Sequence, residues 1–118
     1  MSIKVEDYYP RETFNKMKAF ADQHETPFVV IDTAIISQAY DDLRAGFEFA
    51  KVYYAVKANP AIEIIELLRD KGSNFDIASI YELDKVLSAG VSPDRMSYGN
   101  TIKTVSYTHL TLPTKRIV

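Results

Sequence analysis

A single lysine at the end of an apolar run is the feature that most constrains this chain. Residues 52–60 read Val-Tyr-Tyr-Ala-Val-Lys-Ala-Asn-Pro. The β-branched and aromatic residues predict a strand over residues 52–56 that is buried on both faces, and Asn59 and Pro60 then end it and open a helix. The pattern therefore places Lys57 at the carboxyl end of a strand, where α/β folds keep their active sites.

Strands and helices alternate along most of the chain. Apolar periodicity and turn residues predict strands at residues 26–31, 52–56, 74–77 and 96–98, and helices at 11–23, 33–43, 60–71 and 79–89. Such alternation calls for parallel strands joined by right-handed crossovers, so the predicted fold class is α/β. Both an open doubly wound sheet and the opening units of an eight-fold barrel satisfy this pattern.

Composition restricts the partners that we expect. The 118 residues are enough for one domain, 47% of them are hydrophobic, and the net charge is -2. This balance gives no electrostatic reason to expect a nucleic acid or an anionic membrane as partner. The chain has no apolar run of about 20 residues and no signal peptide, which favours a cytoplasmic protein. With no cysteine, it offers no thiol nucleophile or thiolate metal ligand, and we predict no metal site.

The last fifteen residues differ from the rest. Residues 104–118 contain four threonines and no Asp, Glu or Gly, and the alternation of strand and helix stops there. We interpret this segment as resembling translated sequencing-adapter read-through, and hence as a non-native tail. The alternative is a genuine short polar strand or tail.

Lys57 has two interpretations from the strand pattern alone. Its stem can pack on apolar neighbours while the ammonium group reaches solvent. Alternatively, an amine at the mouth of a buried strand is partly desolvated, which favours the neutral form and makes it a nucleophile toward an aldehyde.

Three ordered sequence blocks carry a resemblance to a known family. Residues 54–59 read Tyr-Ala-Val-Lys-Ala-Asn, and residues 75–79 read Phe-Asp-Ile-Ala-Ser and are followed by Glu82. Residues 90–95 contain a Pro-x-Arg element, and residues 98–103 match Tyr-x-Asn-x-x-Lys. In this order and spacing the blocks resemble the fold-type III pyridoxal-phosphate decarboxylases of basic amino acids. They are most similar to the ornithine decarboxylases, including bacterial forms that accept both lysine and ornithine.

The resemblance implies a fold, a cofactor and a set of site residues. The expected fold is the N-terminal part of a (β/α)8 TIM barrel of the alanine racemase-like type, without its C-terminal β domain. Residues 1–24 would form a helical extension and residues 25–103 the first barrel units. Pyridoxal 5'-phosphate would be the cofactor, and the residues expected to bind it are Lys57, Ala55 and Asp76. The expected catalytic residues are Lys57, which bonds to the cofactor, Asp76, which orients the lysine, and Glu82.

Glu82 also has a local explanation. Ser79 and Glu82 have the spacing of a capping box, in which the serine and the glutamate each accept a hydrogen bond from an exposed helix amide. A site role and a capping role therefore compete. Asn59 is expected to cap the helix that follows Pro60.

The implied reaction is decarboxylation of L-ornithine to putrescine, with lysine to cadaverine as a second activity, in a homodimer. The 118 residues would hold only three or four barrel units, so we expect the polypeptide alone to be inactive and aggregated or disordered. The alternatives are a non-catalytic regulatory homologue or cofactor carrier, an amino-acid racemase of the same fold, and a small doubly wound binding module. A diaminopimelate decarboxylase is disfavoured because its Val-Ser-Gly-Gly-Glu-type block is not found after Asp76.

Overall fold

The computed structural model describes residues 4–100, which form four α-helices and three strands. The proposed non-native tail and the end of the third sequence block lie outside the described residues. The helices are α1 (Arg11–Ala21), α2 (Thr33–Gly46), α3 (Ile62–Asp70) and α4 (Ile80–Ser88), and the strands are β1 (Tyr53–Ala55), β2 (Asn74–Ile77) and β3 (Met96–Tyr98). Three 3-10 turns lie at Val5–Asp7, Val56–Ala58 and Pro93–Arg95.

The chain divides into two compact units, and the first covers residues 1–32. Its helix α1 matches the predicted helix, and an aromatic cluster of Phe20, His24 and Phe28 follows. The predicted strand at residues 26–31 is wrong, because this segment has no regular secondary structure and Val29 is 87% exposed. A strand needs a hydrogen-bonded neighbour, and the three described strands pair only with one another. The boundary that we expected after residue 24 stays a prediction.

The second unit, residues 33–118, contains a parallel sheet in the order β1-β2-β3. The register pairs Tyr54 with Phe75 and Phe75 with Met96. Helices α3 and α4 connect successive strands, so the predicted α/β class is confirmed. Strand β2 and strand β3 have the predicted bounds.

The hydrophobic core lies on one face of this sheet. Phe75 and Ile77 alternate with half-buried neighbours along β2 and are fully buried. The helices contribute the other large members of the core, which are Ile64, Ile65, Leu68, Leu83 and Val86. Full burial of one such side chain stabilises the fold by about 1.5–3 kcal/mol. The core therefore fixes which face of each strand points away from the helices.

The opposite face of the sheet carries smaller and more polar side chains. Ala55, Asp76 and Ser97 are register partners across the three strands, and all three are half-buried. Paired residues of neighbouring parallel strands project to the same side, so these residues form one row. This open face is where a site can be built on β1, β2 and β3 together.

Strand β1 corrects one expectation. We predicted a strand buried on both faces, but Tyr53 is 43% exposed and Tyr54 and Ala55 are half-buried. The reason is that β1 is an edge strand of the described sheet. Its apolar residues have β2 on one side only.

Two glycines end helices as predicted. Gly72 and Gly90 follow α3 and α4 with φ angles of 86° and 77°. These angles lie in the left-handed region, which costs glycine little. Helix α3 itself begins at Ile62, two residues later than predicted.

The four α-helices of residues 4–100 are 9 to 14 residues long. None of them combines the length and the apolar character that a membrane crossing requires.

Candidate active site

Lys57 lies on a tight turn directly after β1. The last register pair of the strand is Ala55 with Asp76, and the backbone then forms the 3-10 turn Val56–Ala58. Val56 is fully buried and Lys57 is exposed, so the turn is anchored by the valine and presents the lysine. Lys57 is therefore at the carboxyl edge of the sheet as predicted, but on a turn and not in the strand.

Hydrogen bonds hold the chain that follows this turn. The Tyr54 hydroxyl donates to the carbonyl oxygen of Asn59 at 3.0 Å, and the Ala61 amide donates to the Asn59 Oδ1 at 3.0 Å. Burial raises the pKa of the Tyr54 hydroxyl, so it is a protonated donor at neutral pH. Asn59 does not have the capping role expected of it, because the N-cap residue of α3 is Ala61 and the Asn59 side chain accepts from Ala61 itself, one residue before the helix. Together the two bonds restrain both ends of the segment that carries Lys57.

Asp76 is the middle residue of the row on the open face of the sheet, and its carboxylate lies close to Gly99, which follows β3. Its two carboxylate oxygens lie 2.8 and 3.0 Å from the position that a Cβ atom on Gly99 would occupy. Gly99 is fixed beside it, because its amide donates to the carbonyl oxygen of Ile77 at 2.9 Å. Within residues 4–100 the Asp76 carboxylate has no hydrogen bond or ion pair. It is a free acceptor at the edge of the sheet.

Glu82 caps the start of α4. The Glu82 amide donates to Ser79 Oγ at 3.3 Å, and the Glu82 carboxylate accepts from the Ala78 amide at 2.7 Å. In a standard capping box the glutamate would accept from the amide of the N-cap residue, Ser79. Here the carboxylate reaches one residue further back. The capping interpretation is supported, and one carboxylate oxygen is engaged in it.

Lys57 and Glu82 share a shallow cavity of about 320 Å³. Its lining residues are Lys57, Pro60, Ser79, Tyr81, Glu82 and Lys85. The Lys85 ammonium donates to the carbonyl oxygen of Pro60 at 3.0 Å. Tyr81 is 80% exposed at the rim. Within residues 4–100 the cavity thus combines an amine without a hydrogen bond or ion pair (Lys57), an engaged amine (Lys85) and a capping carboxylate (Glu82).

The four residues expected at the site do not all line one cavity. Ala55 and Asp76 are register partners on the open face of the sheet. Lys57 and Glu82 line the shallow cavity of about 320 Å³, which neither Ala55 nor Asp76 lines. Ala55 also borders a separate, mostly apolar cavity of about 390 Å³ beside α2. Among residues 4–100 no cluster of three or more His, Cys, Asp or Glu side chains could hold a metal ion.

Sequence reasoning missed Lys85, Tyr81 and Gly99. A lysine and a tyrosine on an amphipathic helix are ordinary surface residues by pattern. The sequence pattern identified Gly99 only as a residue that ends a strand. The positions became informative once the fold placed them beside Lys57 and Asp76.

The residues present fit pyridoxal phosphate. An aldehyde needs a primary amine free of strong partners, and Lys57 has no hydrogen bond or ion pair within residues 4–100. A flat ring needs an open surface near that lysine, and the row of Ala55, Asp76 and Ser97 lies on the open face of the sheet, with the small residue Ala55 two positions before Lys57. Asp76 adds an unengaged acceptor for a cationic group.

Comparison with known proteins gives the same family. Residues 33–115 match the family model described as pyridoxal-dependent decarboxylase, pyridoxal binding domain. The chain is 37% identical over 83 residues to the ornithine decarboxylase of Saccharomyces cerevisiae, covering 70% of this chain and 18% of that protein. It is 38% identical over 88 residues to the lysine/ornithine decarboxylase of Selenomonas ruminantium, covering 75% of this chain and 22% of that protein.

A solved structure agrees with these sequence matches. The lysine/ornithine decarboxylase of Vibrio vulnificus, complexed with cadaverine, superimposes with a TM-score of 0.76 at 27% identity, covering 80% of this chain and 26% of that one. The chain spans about one fifth of the length of the curated relatives described above. Its fold is the N-terminal part of the alanine racemase-like (β/α)8 barrel, and pyridoxal 5'-phosphate is the cofactor. The chain belongs to the pyridoxal-dependent decarboxylases.

Proposed function

We propose that the protein containing this chain decarboxylates L-ornithine to putrescine, and L-lysine to cadaverine as a second activity. One observation carries the proposal: Lys57 lies on a restrained turn at the carboxyl edge of the sheet, directly after the strand whose last residue, Ala55, is the register partner of Asp76. The Vibrio vulnificus relative is seen with cadaverine and with putrescine, which supports both diamines as products.

The chain's own residues have distinct tasks in this proposal. Pyridoxal phosphate, when bound, supplies an electron sink that stabilises the carbanion left by loss of carbon dioxide. Lys57 would hold the cofactor through its Nζ, whose amine would supply the nucleophile for the cofactor's aldehyde. Asp76 orients the protonated amine as a charge-assisted acceptor. Ala55 leaves room for the flat ring on the sheet face.

Glu82 contributes to the site mainly by stabilising the start of α4. Its carboxylate accepts from the Ala78 amide, directly after β2, so it fixes the connection between Asp76 and α4. The carboxylate also lines the cavity of Lys57. We propose that Glu82 combines a site role with its capping role, since it lines this cavity while it holds the Ala78 amide.

The proposal includes an assembly and a location. We propose a homodimer with the active sites at the subunit interface, acting in the cytoplasm on polyamine synthesis. A non-catalytic regulatory homologue or cofactor carrier of the same fold is the alternative, since either can keep Lys57 without turnover.

The test is a substrate assay of the complete protein encoded at this locus. With pyridoxal phosphate present, L-ornithine should release carbon dioxide and putrescine, and L-lysine should release carbon dioxide and cadaverine. Diaminopimelate should give no product. Lys57→Ala should abolish release, while Lys51→Ala, at an exposed position before β1, should leave it unchanged. Binding of the cofactor without release of carbon dioxide from either substrate would instead favour the non-catalytic homologue.

A further inference from the structure

One peptide unit between the Lys57 turn and α3 is held from two sides. The carbonyl oxygen of Pro60 accepts from the Lys85 ammonium at 3.0 Å, and the amide of Ala61 donates to the Asn59 Oδ1 at 3.0 Å. The two groups belong to the same planar trans peptide unit, in which the C=O and the N–H point in opposite directions. A hydrogen bond on each side therefore fixes the orientation of this unit.

Lys85 donates from a helix that is anchored in the core. It lies in the last turn of α4, between Leu83 and Val86, which are both fully buried. The start of the same helix is capped by the bond from the Glu82 amide to Ser79 Oγ. The position of the Lys85 backbone is therefore set by the packing of α4, and its side chain reaches a segment 25 residues earlier in the chain.

The held peptide unit is part of the wall of the cavity that Lys57 lines. Lys57, Pro60 and Lys85 all line this cavity of about 320 Å³. Before the lysine, the fully buried Val56 anchors the turn. After it, the held unit begins at Pro60, three residues along the chain. The segment that carries Lys57 thus has a fixed point on each side, and the second one depends on α4.

We propose that Lys85 is a positioning residue for Lys57. By holding the Pro60 carbonyl oxygen against α4, it keeps the Lys57 turn in the geometry in which the amine meets the aldehyde of pyridoxal phosphate. This inference rests on the proposed function. Lys85 itself bonds to neither cofactor nor substrate and acts through the peptide unit of Pro60 and Ala61. Such an indirect role affects rate because a small displacement of a nucleophile slows its reaction steeply.

Lys85→Met removes the donor and keeps an unbranched side chain that suits a helix. The peptide unit then retains one of its two bonds. One hydrogen bond of this kind shifts a local opening equilibrium by roughly two- to tenfold, so the Ala61 amide should exchange its hydrogen faster by that factor in the cofactor-free protein. Attachment of pyridoxal phosphate to Lys57 should slow by roughly two- to tenfold as well.

The experiment measures both quantities on the complete protein. Hydrogen exchange of the cofactor-free form is followed by mass spectrometry of peptides covering residues 56–62. Attachment is followed by borohydride trapping, at a temperature at which every variant is folded. Lys85→Arg keeps a long side chain with N–H donors and should restore both values to those of the parent. Lys18→Met is the matched control, because Lys18 is also an exposed helical lysine with one bond, to Asp22 Oδ2 at 2.9 Å, and lies in the first unit.

The outcomes separate this inference from the proposed function. Unchanged exchange at Ala61 in Lys85→Met, or faster exchange with an unchanged attachment rate, would overturn the inference, while a label on Lys57 would leave the proposed function standing. Effects that persist in Lys85→Arg would also overturn it, because loss of the donor would then not be the cause. A label on Lys85 in place of Lys57, or no label in the folded parent protein, would overturn both.

Discussion

Asp76 and Glu82 are acids of similar chemistry with different surroundings. The Glu82 carboxylate accepts from the Ala78 amide at 2.7 Å, whereas the Asp76 carboxylate has no partner within residues 4–100. A carboxylate engaged in a cap stabilises its helix, and a free one at the sheet edge is available to a cationic ligand. The two substitutions should therefore differ in what they damage.

Glu82→Ala should lower the free energy of unfolding by about 1 kcal/mol, because the Ala78 amide loses its acceptor. Asp76→Ala should change stability less but lower kcat/KM by about tenfold or more, since the lysine loses its orienting group. Chemical denaturation and steady-state kinetics on the complete protein measure both quantities. Equal kinetic losses without any loss of stability would contradict the capping account of Glu82.

Tyr54→Phe isolates the hydrogen bond behind the Lys57 turn. The ring should keep its edge contact with Phe75, at 6.4 Å between centroids, while the bond from the hydroxyl to the Asn59 carbonyl is lost. We expect a loss of about 0.5–1.5 kcal/mol in stability and slower attachment of pyridoxal phosphate to Lys57. Thermal unfolding and borohydride trapping measure the two effects. An unchanged attachment rate would mean that Val56 alone fixes the turn.

Among the elements, Arg95 links three parts of the second unit. It lies in the 3-10 turn before β3, and its guanidinium donates to the carbonyl oxygens of Arg69 at 2.9 Å and Ser73 at 2.5 and 3.2 Å. Arg69 is in the last turn of α3 and Ser73 precedes β2. The side chain therefore ties the end of α3 and the start of β2 to the turn that leads into β3.

Arg95→Lys should lower stability by about 1–3 kcal/mol, because an ammonium group cannot span both carbonyl oxygens with the geometry of a guanidinium. Arg44→Lys is the matched control, since Arg44 makes one exposed bond to the Ala50 carbonyl oxygen. Urea denaturation of the two variants gives the comparison. Equal small losses would show that the Arg95 bonds are not important for stability.

Elements with local signals were predictable from the sequence. Strand β2 and strand β3 have the predicted bounds, and α3 and α4 end at Gly72 and Gly90 because glycine permits the left-handed backbone there. In each case the information lies within a few residues of the element.

Features that depend on contacts between residues far apart in the sequence were not predictable from it. The segment at residues 26–31 has the composition of a strand, but strand formation needs a partner that composition does not reveal. The row of Ala55, Asp76 and Ser97 depends on register across three strands. The close approach of Gly99 to Asp76 depends on this register as well, so no local pattern singles out Gly99.

At the scale of the whole molecule, much apolar surface of the described chain is uncovered. Val29 and Phe49 are 87% and 91% exposed, and the outer edges of β1 and β3 have no strand partner within residues 4–100. Exposed edges and apolar side chains promote association between chains. We expect the 118-residue polypeptide, expressed by itself, to aggregate and to lack decarboxylase activity. Sedimentation velocity and a carbon dioxide release assay test this, and a monomer with cooperative unfolding would contradict it.

The central claim is that Lys57 is the residue that bonds to the cofactor, and peptide mapping tests it most directly. The complete protein is incubated with pyridoxal phosphate, reduced with borohydride, digested and analysed by mass spectrometry. The account predicts a single stoichiometric label on the peptide containing Lys57. A stoichiometric label on another lysine, or no label in a folded protein, would contradict it.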